Sequence, residues 1–246
     1  MSSSGSKRRR RGAGQDLADA PVLVVTGLAR EAACAAGDGL TTIRSGADVA
    51  VLAAALEKLS AKNFAAVVSF GLAGGLDPKL RQGDVVVGAE AITPPARYAT
   101  HSLIARILVE GLAGAGGKTV LGGVAGVDAP VLDVPAKALL RAETKALAVD
   151  MESHLAAEYA ERRGLPFAIV RVVCDPASRA LPALAASAIK PDGGVDIARV
   201  MWELAREPLQ IGDLVRAGLD ARAALASLSR CGRLLGPLLR LVLAQL

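Results

Sequence analysis

Short runs of aliphatic and β-branched residues alternate along this chain with stretches whose apolar positions recur at helical spacing. The run PVLVVT at 21–26 is apolar throughout, and PFAIVRVV at 166–173 is nearly so, a pattern typical of strands buried on both faces. The stretch 48–59 instead places its apolar residues on one helical face. This alternation predicts an α/β domain. The predicted strands are 21–26, 40–43, 65–70, 84–92, 118–124, 146–149 and 165–173.

The end of the chain differs from the rest in its pattern. Residues 232–246, GRLLGPLLRLVLAQL, are apolar apart from two arginines and a glutamine. Two interpretations stay open: a helix that covers the core or a dimer interface, and a helix that contacts a membrane surface. We therefore divide the chain into a basic tail at 1–20, a domain at 21–230 and an apolar C-terminal helix at 231–246. The predicted helices before that segment are 28–36, 48–59, 101–112, 153–160, 181–189, 195–205 and 209–228.

The composition fits a single domain with a substantial core. The chain has 246 residues, of which 52% are hydrophobic and only 2% aromatic, so Ala, Val and Leu fill the core and aromatic stacking on a ligand is scarce. The net charge is +5, and the run from Lys7 to Arg11 carries that much by itself. The nearly neutral remainder does not favour nucleic-acid binding. The tail is expected to be disordered, either simply solvated or attracted to anionic lipid.

Cysteine and histidine usage argues against a metal centre. Cys34, Cys174 and Cys231 show no ligand spacing, and their odd number suggests reduced thiols in a cytoplasmic protein. With two histidines and no cysteine pair, we expect no bound metal. No apolar run is long enough to span a bilayer, and the basic start lacks the apolar stretch of a signal peptide. A cytoplasmic location is expected, with peripheral membrane contact left open.

An acidic turn follows the predicted strand at 146–149. Asp150 and Glu152 lie where this strand passes into a helix, the edge at which open α/β sheets bind ligands. A carboxylate there can accept hydrogen bonds from vicinal sugar hydroxyls, and Met151 offers an apolar face to the ring. The alternative is that Asp150 or Ser153 caps the helix while Glu152 favours its N-terminal dipole.

Three segments, in order, carry a resemblance to a known family. AVDMES at 148–153 is similar to the ribose-binding signature of the nucleoside phosphorylase and methylthioadenosine/adenosylhomocysteine nucleosidase superfamily. SFGLAGGLDPKLRQGDVVV at 69–87 resembles the family's Gly-rich loop and the "GD" strand after it. RVVCDPA at 171–177 resembles its C-terminal strand and catalytic aspartate. The resemblance implies a three-layer α/β/α fold with a mixed central sheet, of the nucleoside phosphorylase type.

Further motifs are most similar to one branch, the hopanoid-associated phosphorylases. These motifs are VVTGLAREA, GGLDP, VDMESH, GLPFAIVRVVCDPASRALP and REPLQ. The branch implies phosphorolysis of adenosylhopane with release of adenine, phosphate being a co-substrate and no other cofactor being needed. The implied partners are a purine nucleoside, lipid-linked in this branch, and further copies of the chain in a homo-oligomer.

The resemblance assigns roles to individual residues. Asp175 would protonate N7 of the leaving purine, which is needed because the glycosidic C–N bond breaks through an oxocarbenium-like state. An apolar strand end can supply the raised pKa of such an acid. Glu152 and Met151 would bind the ribose. The other implied contacts are Gly27, Arg30, Arg44, Gly71, Leu72, Ala73 and Gly74 for phosphate or water, and Ala129, Pro130 and Val131 for the base.

The sequence departs from the family pattern at three positions. Nucleosidases use a glutamate shortly after the first glycine to activate water; alignment puts Ala32 there, with Glu31 one position off, which favours phosphorolysis. Leu72 stands where many relatives have a hydroxyl, and Pro130 where nucleosidases have a stacking aromatic. Two alternatives therefore stay open: hydrolysis of methylthioadenosine or adenosylhomocysteine, and a non-catalytic nucleoside-binding protein of the same fold.

Overall fold

The structure, a computed structural model, describes residues 20–46, 48–180 and 211–246, with side chains described from residue 218 onward in the last segment. The basic tail and the helices predicted at 181–189 and 195–205 lie outside the described residues. The strands are β1 (Val22–Thr26), β2 (Leu40–Arg44), β3 (Ala66–Gly75), β4 (Val85–Thr93), β5 (Ala96–Ala99), β6 (Thr119–Gly126), β7 (Ala148–Asp150) and β8 (Phe167–Asp175). The helices are α1 (Ala29–Cys34), α2 (Val49–Lys58), α3 (Ser102–Gly111), α4 (Val134–Thr144), α5 (Ser153–Arg163) and α6 (Ile211–Leu243).

The strands form one mixed sheet that closes partly on itself. Strand β3 pairs in parallel with β1 and β8 and antiparallel with β7. Strand β8 pairs antiparallel with β4, β4 pairs in parallel with β6, and β6 pairs in parallel with β7. The strands β3, β8, β4, β6 and β7 therefore form a closed ring, while β1 and β2 extend from one side and β5 from another. The expected mixed central sheet with flanking helices is confirmed.

Helices cover two faces of this sheet. On one face, α3 and α6 bury Ile104, Leu108, Leu228 and Leu235 against strand residues such as Val170. On the other face, α2 and α5 supply a second cluster. That cluster includes Leu52, Leu56, Ala156, Ala160 and Tyr159. Small side chains dominate both layers, as the composition predicted, and they bring the helix backbones close to the strands.

The predicted Gly-rich loop at 71–75 is instead the second half of β3. The prediction of a flexible loop was wrong, because each of these residues is paired in the sheet. Phosphate binding by these residues stays a prediction. Gly71 pairs with Arg171 on β8, and Gly74 pairs with Val149 on β7. The glycines permit this because a side chain at these positions would collide with neighbours across the sheet.

The C-terminal segment 231–246 is not a separate helix. It forms the last turns of α6, which runs without interruption from Ile211 to Leu243 and contains Pro237. Its own side chains Cys231, Leu235 and Leu239 are buried in the core of the domain. The apolar pattern of this segment therefore arises because one face of α6 packs against the domain.

Helix α4 was missed by the sequence analysis. Its two fully buried side chains are polar, Lys137 and Thr144, so it lacks the apolar stripe that marks an amphipathic helix. Its start is nevertheless well specified, since Asp133 accepts a hydrogen bond from the backbone N–H of Ala136 at 2.7 Å. The loop predicted at 93–100 likewise contains a short strand, β5, which pairs antiparallel with β4.

None of the described helices combines the length and the apolar character that crossing a bilayer requires.

The contact between α6 and α1 predicts a sharp difference between two glycines of α6. A Cβ at Gly232 would lie 1.9 Å from the carbonyl oxygen of Cys34, whereas a Cβ at Gly218 would meet nothing within 4 Å. We expect Gly232→Ala to lower the free energy of unfolding by about 1–3 kcal/mol, because α6 must move away from α1. Gly218→Ala should raise it by about 0.5–1 kcal/mol through helix propensity.

Urea denaturation of both variants checks this prediction. Equal effects from the two substitutions would contradict the close packing of α6 on α1.

Candidate active site

A cavity of about 230 Å³ opens where several strands end. Gly27 directly follows β1, Val127 follows β6, and Asp150 and Asp175 are the last residues of β7 and β8. The pairing of the sheet brings these ends together, as expected for a ligand site in an α/β fold. The lining residues are Gly27, Leu28, Glu31, Leu72, Ala73, Gly74, Val127, Pro130, Val131, Val149, Asp150, Met151, Glu152, Cys174 and Asp175.

Glu31 is a buried carboxylate on one side of this cavity. Its Oε2 accepts hydrogen bonds from the backbone N–H groups of Gly27 and Leu28, both at 2.7 Å. Its Oε1 accepts one from the N–H of Leu72 at 2.8 Å, across 41 positions of sequence. Only 3% of the residue is exposed. Three backbone donors therefore converge on one carboxylate.

The geometry around α1 gives Glu31 a position that the sequence alignment did not predict. The alignment placed Ala32 at the position of the nucleosidase glutamate, but the structure turns Glu31 into the cavity. Helix α1 begins at Ala29, so Glu31 lies in its first turn, where a carboxylate is favoured by the helix dipole. Glu31 is a site residue that the sequence analysis missed, and the signal was present in its position after Gly27.

Arg171 is the cation of the site, and it is fully buried within β8. Its Nε lies 2.6 Å from Oδ2 of Asp150, and its Nη2 lies 3.4 Å from Oε2 of Glu152. Nη2 also donates to the hydroxyl of Ser69 at 2.6 Å, and Nη1 donates to the carbonyl of Leu72 at 3.2 Å. A buried guanidinium is tolerated because these acceptors replace its lost hydration.

The glycine at position 71 makes room for this charged cluster. A Cβ there would lie 2.6 Å from Nη1 of Arg171 and 2.9 Å from the carboxyl carbon of Glu31. Gly71 does not line the cavity itself. Its lack of a side chain leaves room for both a buried cation and a buried anion beside this position of β3.

The acidic turn after β7 divides two roles between its carboxylates. Oδ1 of Asp150 accepts hydrogen bonds from the N–H groups of Glu152 at 3.2 Å and Ser153 at 2.9 Å, so Asp150 caps α5 as the structural alternative had it. Glu152 occupies the N-cap position but accepts no capping bond with its side chain. Its Oε1 instead accepts a hydrogen bond from the hydroxyl of Ser45 at 3.0 Å and faces the cavity.

Burial sets the proton affinity of this half of the cavity. Burial raises the pKa of Glu152 to about 7, with Arg171 opposing the shift and Asp150 and Glu31 adding to it. Burial also raises the pKa of Glu31, against Arg171 and three backbone donors. Both carboxyl groups therefore bind a proton more readily than exposed glutamates do.

Asp175 lies on the opposite side of the cavity, at the end of β8. Its Oδ2 pairs with the ammonium of Lys137 from α4, and its carboxylate packs against Gly74, where a Cβ would lie 3.4 Å from Oδ2. Burial raises the pKa of Asp175, while Lys137 and Arg179 lower it. Lys137 was not predicted from sequence, since a lysine on an unpredicted helix offers no signal of burial.

The remaining residues implied by the resemblance divide between the cavity and the surface. Leu72, Ala73 and Gly74 line the cavity from β3, and Pro130 and Val131 line it from the loop after β6, whereas Ala129 is exposed and does not. Met151 lines it beside Glu152.

The two predicted phosphate-binding arginines lie away from the lining. Arg30 and Arg44 are exposed, and neither is among the lining residues. Within the part of the chain that the structure describes, the cations next to the cavity carboxylates are instead Arg171 and Lys137.

Comparison with known proteins places this site in a family. A family model described as the phosphorylase superfamily matches residues 18–203, which include every residue discussed above around the cavity. The chain belongs to the phosphorylase superfamily. Helix α6 lies beyond the matched residues of this superfamily member. A search of curated protein sequences gave no significant match.

Solved structures resemble the chain in fold. The 5'-methylthioadenosine/S-adenosylhomocysteine nucleosidase of Helicobacter pylori superposes with a TM-score of 0.63 at 15% identity, over 90% of this chain and 98% of that one. The futalosine hydrolase of Helicobacter pylori gives 0.64 at 15% identity, over 90% and 97%. The methylthioadenosine/adenosylhomocysteine nucleosidase of Neisseria meningitidis gives 0.58 at 18%, over 86% and 97%. At these low sequence identities, the similarity shows that the chains share a fold.

The raised pKa of Glu152 predicts a particular dependence of stability on pH. The carboxyl has a reference pKa of 4.5 and a folded pKa of about 7, so between these values the folded protein binds more protons than the unfolded chain. The free energy of unfolding should therefore fall as pH rises from about 5 to 7, on the order of a few kcal/mol.

Urea denaturation across this pH range should show the fall in the wild type and a smaller one in Glu152→Gln. Glu143→Gln, on an exposed carboxyl of α4, is the matched control and should behave as the wild type does. A Glu152→Gln curve parallel to that of the wild type would contradict the raised pKa.

Proposed function

We propose that this protein hydrolyses the N-glycosidic bond of a purine nucleoside, with Asp175 as the acid and Glu31 as the base that orients water. The observation that carries the proposal is the pair of buried carboxylates on one cavity. Glu31 is bonded to the N–H of Leu72, and Asp175 packs on Gly74. These positions are two residues apart on β3, a span of about 7 Å at strand geometry.

Two carboxyl groups on one cavity suit a reaction that needs both an acid and a base. In inverting glycosidases, one carboxyl group protonates the leaving group while the other activates a water on the opposite face. Here Asp175 would protonate N7 of the purine, and Glu31 would accept a proton from water. The analogy concerns the chemical logic and not the fold.

The backbone donors near α1 support water over phosphate as the nucleophile. The N–H groups of Gly27, Leu28 and Leu72 could have bound an anion, but the carboxylate of Glu31 already occupies all three. A phosphate would also lie close to Glu152, and like charges in a buried site repel strongly. We therefore infer that Glu31 stands where a phosphorylase would hold its anion.

Other residues that line the cavity would bind the ribose. Glu152 would accept hydrogen bonds from the ribose hydroxyls, with Met151 packed beside the ring. The buried carboxylates would stabilise the positive charge that develops on the sugar as the bond breaks. The role of Asp150 is indirect, since it caps α5 and thereby fixes Glu152.

The substrate that we propose is an adenosine derivative with an apolar 5' substituent, adenosylhopane being the one that the motifs imply. The lining supports an apolar ligand, since Leu28, Leu72, Val127 and Val131 contribute aliphatic side chains. The nucleosidases of similar fold are named for 5'-modified adenosines.

Phosphorolysis is the second candidate, and one observation favours it. Arg44 is exposed beside Ser45, whose hydroxyl bonds to Glu152 of the site. Because Arg44 is exposed next to a residue of the site, its guanidinium would be free to bind phosphate at the cavity of a second copy in a homo-oligomer. This route makes activity depend on both phosphate and Arg44, whereas hydrolysis depends on neither.

Adenine release measured with and without phosphate tests the proposal. The substrates are adenosylhopane in detergent, methylthioadenosine and inosine. We expect release without phosphate, and a fall in kcat of about 10²–10⁴ in both Glu31→Gln and Asp175→Asn, since each removes one proton-transfer group. Glu143→Gln should leave the rate unchanged.

Other outcomes decide against parts of the proposal. Release that requires phosphate, persists in Glu31→Gln and is lost in Arg44→Ala would establish phosphorolysis. Binding without turnover, unaffected by Asp175→Asn, would identify a non-catalytic nucleoside-binding protein.

A further inference from the structure

Lys137 is a lysine with no access to solvent. It lies on α4 with 0% exposure, and its ammonium contacts three acceptors. Nζ pairs with Oδ2 of Asp175, donates to the carbonyl of Arg179 at 2.8 Å and reaches the carbonyl of Pro176 at 3.3 Å. An ammonium has three N–H donors, so each finds one acceptor. These three acceptors replace the water that the lysine side chain loses on burial.

The position of the ion pair matters more than its strength. Lys137 binds Oδ2 of Asp175 and leaves Oδ1 without a lysine contact, while Asp175 itself lines the cavity. The two carbonyl bonds hold the chain just after β8 against α4. These contacts therefore restrain the Asp175 carboxyl through Oδ2 and link the end of β8 to α4.

We propose that Lys137 is the positioning residue of the general acid: it orients Asp175 toward the base and sets the pH range in which that acid is protonated. The inference rests on the proposed function, which gives Asp175 its role. Lys137 does not itself contact the substrate in this scheme.

Other charged groups around Asp175 do not take over this task. Arg179, in the segment after β8, has its guanidinium paired with Asp220 of α6. Cys174 is adjacent in the strand, and burial raises the pKa of its thiol to about 12, so it stays neutral. Glu31, Asp150 and Glu152 line the same cavity and are anionic or neutral. Lys137 is the cation in contact with Asp175 among the described residues.

The sign of the expected pH effect follows from this arrangement. Burial raises the pKa of Asp175, and the ammonium of Lys137 opposes that rise. Replacing Lys137 by methionine removes the opposing charge, so the pKa of Asp175 should rise further. An acid works only while it is protonated, so the alkaline limb of the rate should move to higher pH. The maximal rate should fall about 10- to 100-fold, because the carboxyl is no longer held and is a weaker acid.

The experiment compares two leaving groups. One is the purine of whichever nucleoside above the wild type cleaves, and the other is the same nucleoside methylated at N7, whose base departs without a proton. The variants are Lys137→Met, Lys137→Gln and Asp175→Asn. The control is Lys118→Met, on a lysine whose Nζ donates to the carbonyl of Lys79 at the surface. Circular dichroism and thermal unfolding establish that each variant folds.

We expect Lys137→Met to lose activity on the parent nucleoside, to shift its alkaline limb upward and to retain the rate on the N7-methylated one. Lys137→Gln, which keeps neutral donors for the carbonyls, should show the same shift. Equal losses on both substrates, or an unmoved pH profile, would overturn the inference and leave Lys137 a structural residue. Lys118→Met should match the wild type on both.

A second measurement separates failure of the inference from failure of the proposed function. The carboxyl ¹³C signal of Asp175, assigned by its absence in Asp175→Asn, reports its titration without any turnover. A higher pKa of Asp175 in Lys137→Met than in the wild type supports the inference that Lys137 sets the titration of Asp175, even if no nucleoside is cleaved. In that case only the proposed function fails. An unchanged titration of Asp175 in Lys137→Met would overturn the inference, whichever substrate the enzyme cleaves.

Discussion

The structure depends on one buried cation. Arg171 sits in the middle of β8 with no exposed surface, and Asp150 and Glu152 supply its counter-charges. Removing one partner of such a cluster would leave an uncompensated charge in the interior, at a cost of about 3–5 kcal/mol. The arrangement therefore fixes the turn after β7 relative to β3 and β8, and with it the side of the cavity where a ribose would bind.

The glycines of β3 make room for the charged groups of this buried cluster. Gly71 and Gly74 lie in β3 where charged groups approach its backbone from Glu31, Arg171 and Asp175. A pattern that looks like a flexible phosphate loop is in fact a rigid strand shaped around a buried network. Glu31 accepts hydrogen bonds from the backbone donors near α1 and from β3, so its carboxylate is part of the same buried network.

Burial raises the pKa of a carboxyl group in each half of the cavity, but the neighbouring charges differ between the halves. Around Arg171, burial raises the pKa of Glu152 to about 7; Arg171 opposes the rise, and Asp150 and Glu31 add to it. Around Asp175, one carboxylate has a lysine to itself. Pairs of titratable groups in contrasting environments are a common way for one site to supply both an acid and a base. Helix α4 creates this contrast by carrying Lys137 into the interior.

The sequence by itself determined seven of the eight described strands, the acidic turn at Asp150 and the placement of Asp175 at a strand end, because these follow from local apolar runs and motif residues. Only the tertiary structure decided the roles of Glu31 and Lys137. Their partners Leu72 and Asp175 lie 41 and 38 positions away, and neither residue stands in an apolar pattern. Burial of a charge depends on what the fold brings against it, and periodicity along the chain carries no record of that.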